Sequence, residues 1–117
     1  MEIKIWHNPR CSKSRLTLQL LNEQVGEGNF EIVEYLKKRN TVDELLEITK
    51  KLKIAPTQLL RKNETEYKSY REKNGEPNDS QALQLLCDIP KLIERPIVIT
   101  PKGAAIGRPP ENILKIL

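Results

Sequence analysis

The order strand, helix, strand at the start of the chain is the feature that most constrains its fold. Glu2–Trp6 alternates polar and apolar residues, as a β-strand does. From Cys11 to about residue 24, apolar residues recur at helical spacing, and they are Leu16, Leu18, Leu20 and Leu21. Residues 30–35 predict a second strand. Two strands joined by such a helix predict a βαβ unit in which the strands run parallel.

The middle of the chain predicts helices. Residues 41–44, Thr-Val-Asp-Glu, have the capping-box pattern ahead of an apolar stripe, which predicts a helix over 41–52. A short helix is expected to begin at or after Pro56. Residues 64–73 are polar and suit either a surface helix or irregular structure. Cap residues at 78–81 then precede a further helix that stops near Pro90.

The carboxyl-terminal part predicts a hairpin and a last helix. Residues 95–100 are rich in β-branched residues, and a turn separates them from a short segment, 104–106, that pairs back antiparallel. Prolines at 109 and 110 suit the first turn of a helix, whose inward-facing residues are expected to be Ile113, Leu114 and Leu117. The predicted fold is therefore α/β, with the order β-α-β, a helical insertion at about 41–93, and β-β-α.

Length and composition favour one small domain. With 117 residues, of which 38% are hydrophobic, the chain is long enough for a single core, so we expect one domain over 1–117. No apolar run approaches the roughly 20 residues of a membrane span. The first residues, Met-Glu-Ile-Lys, lack the pattern of a secretory signal, so we expect a cytoplasmic protein without membrane association.

The charged and metal-binding residues exclude some kinds of site. One histidine and two cysteines cannot supply a four-ligand zinc centre without several carboxylates, so no metal is expected. The formal net charge of +4 is a mild excess that suits a solvated face or an anionic small-molecule substrate. Composition does not decide between these two, and we do not expect nucleic-acid binding.

Cys11 lies at the entrance of the first helix, a position that favours a reactive thiolate. Backbone N–H groups and the positive end of the helix dipole lower the pKa of a thiol there from its usual value of about 8.5. Arg10, Lys13 and Arg15 add cationic charge nearby in sequence. His7 is able either to donate a hydrogen bond to the sulfur or to stay uninvolved. We therefore predict that Cys11 is a nucleophile.

The segment 11–14, Cys-Ser-Lys-Ser, has the spacing of a Cys-x-x-Cys redox motif with Ser14 in the second place. An oxidised Cys11 then requires an outside thiol, although the serines also suit the first helical turn as capping residues. Thr17 stands where a phosphatase-type Cys-x5-Arg loop requires arginine, which excludes that class. Cys87 lies on an apolar stripe and is predicted to be an inert core cysteine.

Four sequence blocks, in order along the chain, point to a family. They are residues 7–15 (His-Asn-Pro-Arg-Cys-Ser-Lys-Ser-Arg), 59–63 (Leu-Leu-Arg-Lys-Asn), 94–98 (Glu-Arg-Pro-Ile-Val) and 107–109 (Gly-Arg-Pro). Together they resemble the glutaredoxin-dependent arsenate reductase family, the ArsC/Spx family, from about residue 3 to the end of the chain. The resemblance implies a thioredoxin-like fold with a helical insertion, in agreement with the element order predicted above.

The resemblance also implies an activity. The thiolate of Cys11 is expected to attack the arsenic of arsenate, a small oxyanion. Glutathione is the implied reductant, glutaredoxin resolves the mixed disulfide, and no bound cofactor is needed. Three arginines of the last three blocks correspond to the family residues that hold the oxyanion, and these are Arg61, Arg95 and Arg108. Each arginine taken alone also suits a surface charge.

Further expectations concern the supporting residues and the function class. His7, Ser14 and Arg15 are predicted to support the site, and the bond from Arg95 to Pro96 is expected to be cis. Residues 12–13 are Ser-Lys where detoxifying reductases of the family have Gly-Thr, which bears on the preferred anion or thiol partner. The alternatives are an Spx-like transcriptional regulator that binds RNA polymerase, and a glutathione-dependent thiol reductase with a different substrate.

Overall fold

The computed structural model describes residues 2–117, which divide into two compact units. The first unit contains the residues up to Lys38 together with Arg95–Leu117, and the second is Arg39–Glu94. The bounds of the second unit lie close to those of the predicted helical insertion, about 41–93. The expectation of one domain over 1–117 stays a prediction.

The first unit is built on a four-stranded sheet. Its elements are β1 (Lys4–Trp6), α1 (Ser12–Val25), β2 (Glu31–Val33), β3 (Ile97–Thr100), β4 (Gly103–Ile106) and a 3-10 helix (Pro110–Ile116). The strand order is β2-β1-β3-β4, with β1 and β2 parallel and the other two pairings antiparallel. The predicted parallel βαβ unit and the hairpin are confirmed. β2 is shorter than predicted because the chain turns at Glu34, whose carbonyl accepts the Lys37 N–H.

Apolar residues of the helix and the sheet meet in one core cluster. Its buried members are Ile5, Leu21, Phe30, Val98 and Ile113. Ile5 on β1 is the register partner of Val98 on β3, so the two central strands contribute neighbouring side chains to this cluster. Burial of a side chain of this size contributes about 1.5–3 kcal/mol. This core holds α1 against the sheet and thereby fixes both ends of the loop that connects β1 to α1.

The buried face of α1 differs from the predicted leucine stripe. Leu16 belongs to that stripe but is 49% exposed, whereas Ser14, Thr17 and Leu21 are fully buried. The hydroxyl groups of Ser14 and Thr17 are both hydrogen-bonded, so their burial leaves no unpaired polar group. The apolar spacing alone does not identify the buried face of α1, because it does not register a buried polar residue that has its own partners.

The last helix is a 3-10 helix, which changes the residues that face inward. A 3-10 helix has about three residues per turn, so residues three apart share a face. Pro110 and Ile113 are buried and Ile116 is partly buried, while Leu114 is 45% exposed. The inward position of Ile113 is confirmed. That of Leu114 was wrong, because the prediction assumed the α-helical period of roughly 3.6 residues.

The second unit is helical, as predicted. Its elements are α2 (Val42–Leu52), a 3-10 helix (Pro56–Leu59), α3 (Thr65–Asn74), α4 (Asp79–Asp88) and a 3-10 helix (Pro90–Leu92). The capping box of α2 is confirmed, since Thr41 Oγ1 accepts the Glu44 N–H at 3.1 Å and Glu44 Oε1 accepts the Thr41 N–H at 3.1 Å. The polar segment at 64–73 forms α3, which is fixed to its unit through the buried Tyr67.

Candidate active site

The loop between β1 and α1 brings Cys11 to the amino terminus of the helix. After β1 ends, the His7 N–H donates to the Val33 carbonyl at 2.9 Å, which holds the start of the loop against the neighbouring strand. Cys11 is the N-cap residue of α1, and its carbonyl accepts the Arg15 N–H at 3.0 Å. The Cys11 N–H donates to the Asn8 carbonyl at 3.0 Å. The cysteine is partly buried and forms no disulfide.

The surroundings of the Cys11 thiol favour its ionised form. Partial burial acts to raise the pKa of Cys11, because it removes water from the thiolate. The opposing effects come from the backbone N–H of Ser14, the charge of Arg95, the backbone N–H of Lys13 and the charge of Arg108. These effects outweigh desolvation, so the pKa of Cys11 lies below its ordinary value.

Two of the three predicted arginines lie in the same unit as Cys11. Nη1 of Arg108 lies 4.0 Å from Cys11 Sγ and 3.4 Å from the carbonyl oxygen of Arg95. Arg95 acts on the thiol through its charge. The peptide bond from Arg95 to Pro96 is cis, which confirms the prediction, and the bond from Arg108 to Pro109 is also cis, which was not predicted.

His7 and Ser14 form a buried polar pair that ties the loop to the helix. Nδ1 of His7 lies 2.6 Å from Ser14 Oγ, which also accepts the Asn8 N–H at 3.0 Å. Burial lowers the pKa of His7, the charge of Glu34 raises it, the charge of Arg15 lowers it, and the net pKa is below 6.5. The net effect favours the neutral form of the His7 ring. The hydrogen bond of its ring goes to Ser14, the residue whose N–H stabilises the thiolate.

Arg15 takes the supporting position predicted for it, but its contact is with the loop backbone. Its Nη1 donates to the Pro9 carbonyl at 2.9 Å. Since Arg15 lies in the first turn of α1, this hydrogen bond connects the helix to the loop residues that precede Cys11. The charge of Arg15 also contributes to the lowered pKa of His7.

The chain matches one family over nearly its whole length. The sequence model of the ArsC family matches residues 6–116. The chain belongs to the ArsC family. It is 44% identical over 119 residues to the arsenate reductase of Haemophilus influenzae, and the match covers 100% of both proteins. It is also 41% identical over 117 residues to the uncharacterized protein YfgD of Escherichia coli, with 99% of this chain and 97% of that protein covered.

A solved structure of an ArsC relative shows the fold. The arsenate reductase from Vibrio cholerae is 37% identical to this chain and superimposes with a TM-score of 0.91, covering 100% of this chain and 98% of the other. The four-stranded sheet and its helices match that structure, so the predicted thioredoxin-like α/β fold of the ArsC family is confirmed.

The third arginine implied by the ArsC resemblance, Arg61, belongs to the second unit. Its Nη2 lies 2.7 Å from Glu64 Oε1, and its Nη1 donates to the Lys91 carbonyl at 3.2 Å. The Nζ of Lys91 lies 3.4 Å from Glu64 and 3.2 Å from Glu66. Arg61 is therefore part of a charge network within its own unit. Its role as an oxyanion ligand stays a prediction.

Cys87 is less buried than predicted. It lies on α4, where Leu83 and Leu86 are buried, but its own side chain is only partly buried. It lines a cleft of about 260 Å³ together with Gln84 and the segment 39–42. The core position was wrong because Cys87 lies at the margin of the apolar face of α4. Its predicted inertness stays a prediction.

Sequence reasoning missed two residues whose contacts or charges act on the candidate site. Glu34 acts on the pKa of His7, yet in the sequence it is an ordinary polar position of a strand pattern, so no signal pointed to it. Thr17 donates to the carbonyl of Gly107, the residue before Arg108. A polar β-branched residue between helical leucines is a weak signal, because such residues are mildly disfavoured inside helices.

The groups around Cys11 suit an anion. They are backbone N–H groups at a helix terminus and the guanidinium groups of Arg95 and Arg108, which are the kinds of donor that suit an oxyanion. Within residues 2–117, no group of three or more His, Cys, Asp or Glu side chains is arranged to hold a metal ion. No helix in the described part of the chain is both long and apolar enough to cross a membrane.

Proposed function

We propose that the protein is a thiol-dependent oxidoreductase of the arsenate reductase type, with Cys11 as its nucleophile. The observation that carries this proposal is a cysteine of lowered pKa whose sulfur lies 4.0 Å from the Arg108 guanidinium. A thiolate and an oxyanion repel each other, and cationic donors beside the sulfur offset that repulsion. The name of the 44% identical relative supports arsenate as the substrate.

In the first step, the Cys11 thiolate attacks the arsenic atom of arsenate. A sulfur–arsenic bond forms, one arsenic–oxygen bond breaks, and the leaving oxygen takes up protons and departs as water. Arg95 and Arg108 donate to the remaining oxygen atoms and stabilise their charge. Arg61 is proposed as an oxyanion ligand on the family correspondence alone.

In the second step, the thiolate of glutathione attacks the sulfur of the adduct. A disulfide forms between Cys11 and glutathione, and the electron pair of the sulfur–arsenic bond passes to arsenic, which leaves as arsenite. Glutaredoxin then attacks the glutathione sulfur of the mixed disulfide and releases the Cys11 thiolate. Ser14 supports this use of outside thiols, because it has no sulfur with which to form an internal disulfide.

An assay with glutathione, glutaredoxin, glutathione reductase and NADPH tests the proposal. We expect arsenate-dependent NADPH oxidation by the wild-type protein, no turnover in Cys11→Ser, and turnover within about twofold of wild type in Cys87→Ser. Omission of glutaredoxin is expected to stop turnover, and equal turnover without it would contradict the assignment of that partner.

The assay also separates the alternatives. An absence of arsenate-dependent turnover in the wild-type protein, with all components present, would contradict the proposed reaction. Co-purification with RNA polymerase would then support the Spx-like regulator. Turnover of a glutathione mixed disulfide in place of arsenate would support the thiol reductase with a different substrate.

A further inference from the structure

Thr17 on α1 is a fully buried residue whose hydroxyl is not among the groups that act on the Cys11 thiol. A buried hydroxyl requires a hydrogen-bond partner, since leaving it unpaired costs roughly 1–3 kcal/mol. Its polar side chain is buried in the same unit as the apolar core cluster. The hydrogen bonds of this hydroxyl therefore determine which segments of the unit it joins.

The Thr17 hydroxyl lies between two carbonyl oxygens. It is 2.8 Å from the Lys13 carbonyl, one turn earlier on the same helix, and 3.2 Å from the Gly107 carbonyl. The first contact is a common one for threonine in helices. The second joins α1 to a segment 90 residues away in sequence, immediately before Arg108. The Thr17 hydroxyl thus shares its hydrogen bond between the first turn of α1 and the loop that carries Arg108.

Only glycine fits at position 107, because the backbone there lies very close to the side chains of Thr17 and Pro96. A Cβ atom on Gly107 would overlap the Thr17 hydroxyl and would lie 2.8 Å from Thr17 Cγ2 and 2.9 Å from Pro96 Cγ. The Gly107 N–H donates to the Pro96 carbonyl at 2.9 Å. Gly107 is therefore held between α1 on one side and the segment after Arg95 on the other.

The backbone of Arg108 is fixed by the same segment. Its N–H donates to the Ile106 carbonyl at 2.9 Å, and its carbonyl accepts Nδ2 of Asn112 at 3.1 Å. With the backbone held on both sides, the guanidinium reaches the Cys11 sulfur at 4.0 Å. A displacement of Gly107 relative to α1 would move the start of the Arg108 side chain relative to that sulfur.

We propose that Thr17 is a positioning residue that, through Gly107, sets the Arg108 guanidinium against Cys11. The Thr17 hydroxyl is fully buried and both of its hydrogen bonds go to backbone carbonyls. It therefore acts by joining α1, whose N–H groups stabilise the thiolate, to the loop that carries Arg108. One part of its test, the arsenate KM, rests on the proposed function. The other part, the pKa of Cys11, does not.

The test compares Thr17→Val, which keeps the shape but removes the hydroxyl, with Thr17→Ser, which keeps the hydroxyl. The rate of Cys11 alkylation by iodoacetamide against pH is expected to show a raised apparent pKa in Thr17→Val and a wild-type pKa in Thr17→Ser. The arsenate KM is expected to rise about tenfold in Thr17→Val with a smaller change in kcat, since a charge-assisted contact to the bound anion is weakened.

A matched control separates this role from a loss of stability. Thr49 on α2 is also buried, and its hydroxyl donates to the Leu46 carbonyl at 2.8 Å within its own helix. Thr49→Val is expected to lower the unfolding temperature without changing the pKa of Cys11. If Thr17→Val does not fold, Thr17→Ala replaces it, because it also removes the hydroxyl, adds no atoms beside Gly107 and is expected to raise the same pKa.

The double variant decides whether Thr17 acts through Arg108. In an Arg108→Ala background, Thr17→Val is expected to cause no additional rise in the pKa of Cys11. An equal rise in both backgrounds, or no rise in a folded Thr17→Val protein, would overturn the proposal. If the wild-type protein does not reduce arsenate, the proposed reaction fails, whereas the alkylation measurements still confirm or overturn the role of Thr17.

Discussion

The two cysteines occupy opposite ends of helices. Cys11 is the N-cap residue of α1, whereas Cys87 is the residue before the last one of α4. Both are partly buried, so exposure does not distinguish them. Cys11 meets backbone N–H groups and guanidinium charges, whereas the carboxyl end of a helix presents carbonyl oxygens, whose partial negative charge repels an anion. The comparison teaches that the helix end, rather than accessibility, distinguishes Cys11, the cysteine that we propose as the nucleophile, from Cys87.

The buried faces of α1 and α4 also differ in polarity. That of α4 is apolar, with Ala82, Leu83, Leu85 and Leu86, whereas that of α1 includes Ser14 and Thr17. The hydroxyl groups of α1 hold the loop before Cys11 and the segment before Arg108. The buried face of α1 therefore includes residues that hold neighbouring segments in place, whereas the buried face of α4 is entirely hydrophobic.

The contrast between the surroundings of Cys11 and Cys87 is tested first by removing an arginine charge, the change with the largest expected effect. Arg95→Ala is expected to lower kcat/KM for arsenate about 100-fold, because the oxyanion and the thiolate both lose a cationic partner. Arg71→Ala, at an exposed position on α3, is the matched control and is expected to leave kcat/KM unchanged. Wild-type kinetics in a folded Arg95→Ala protein would remove Arg95 from the site.

Removal of the buried hydroxyl of Ser14 is expected to have a smaller effect. Ser14→Ala leaves the Asn8 N–H and the His7 ring without their shared partner, which is expected to lower the free energy of unfolding by about 2 kcal/mol. Ser12→Ala, at an exposed position of the same turn, is expected to change it by less than about 0.5 kcal/mol. Denaturant unfolding measures both, and equal values would show that the pair does not hold the loop.

The smallest expected effect is the pH dependence contributed by His7. Its pKa is lowered in the folded protein, mainly by burial, so the unfolded chain binds a proton more readily. The stabilising contribution is therefore complete above about pH 6.5 and is lost progressively as the pH falls below the unfolded-state value. His7→Gln is expected to lose less stability than wild type between pH 7 and 5. Parallel curves for the two proteins would contradict the buried neutral state of His7.

The sequence predicted those secondary-structure elements well that a single local pattern specifies. The capping box at Thr41, the β-α-β order of the first elements and the position of Cys11 at the helix entrance all follow from short-range patterns. Leu114 was assigned wrongly, because the last helix has a different period. The apolar spacing of α1 did not reveal its buried hydroxyl groups.

The part of the site that the sequence did not predict depends on long-range contacts. The contact between Thr17 and Gly107 joins residues 90 apart, and neither residue signals the other in the sequence. Sequence blocks gave the arginines only through the family resemblance, since an isolated Arg-Pro or Gly-Arg-Pro does not specify a contact with a sulfur. The distance from Arg108 to Cys11 emerges only when β4 and the segment after it are folded against α1.

The central claim is that the amino end of α1, together with Arg95 and Arg108, favours the ionised form of the Cys11 sulfur. Titration of the Cys11 thiol tests this claim most directly. The rate of alkylation with iodoacetamide is measured against pH in Cys87→Ser, where Cys11 is the remaining thiol. The account predicts an inflection clearly below the value of about 8.5 for an ordinary cysteine. An inflection at or above that value would contradict it.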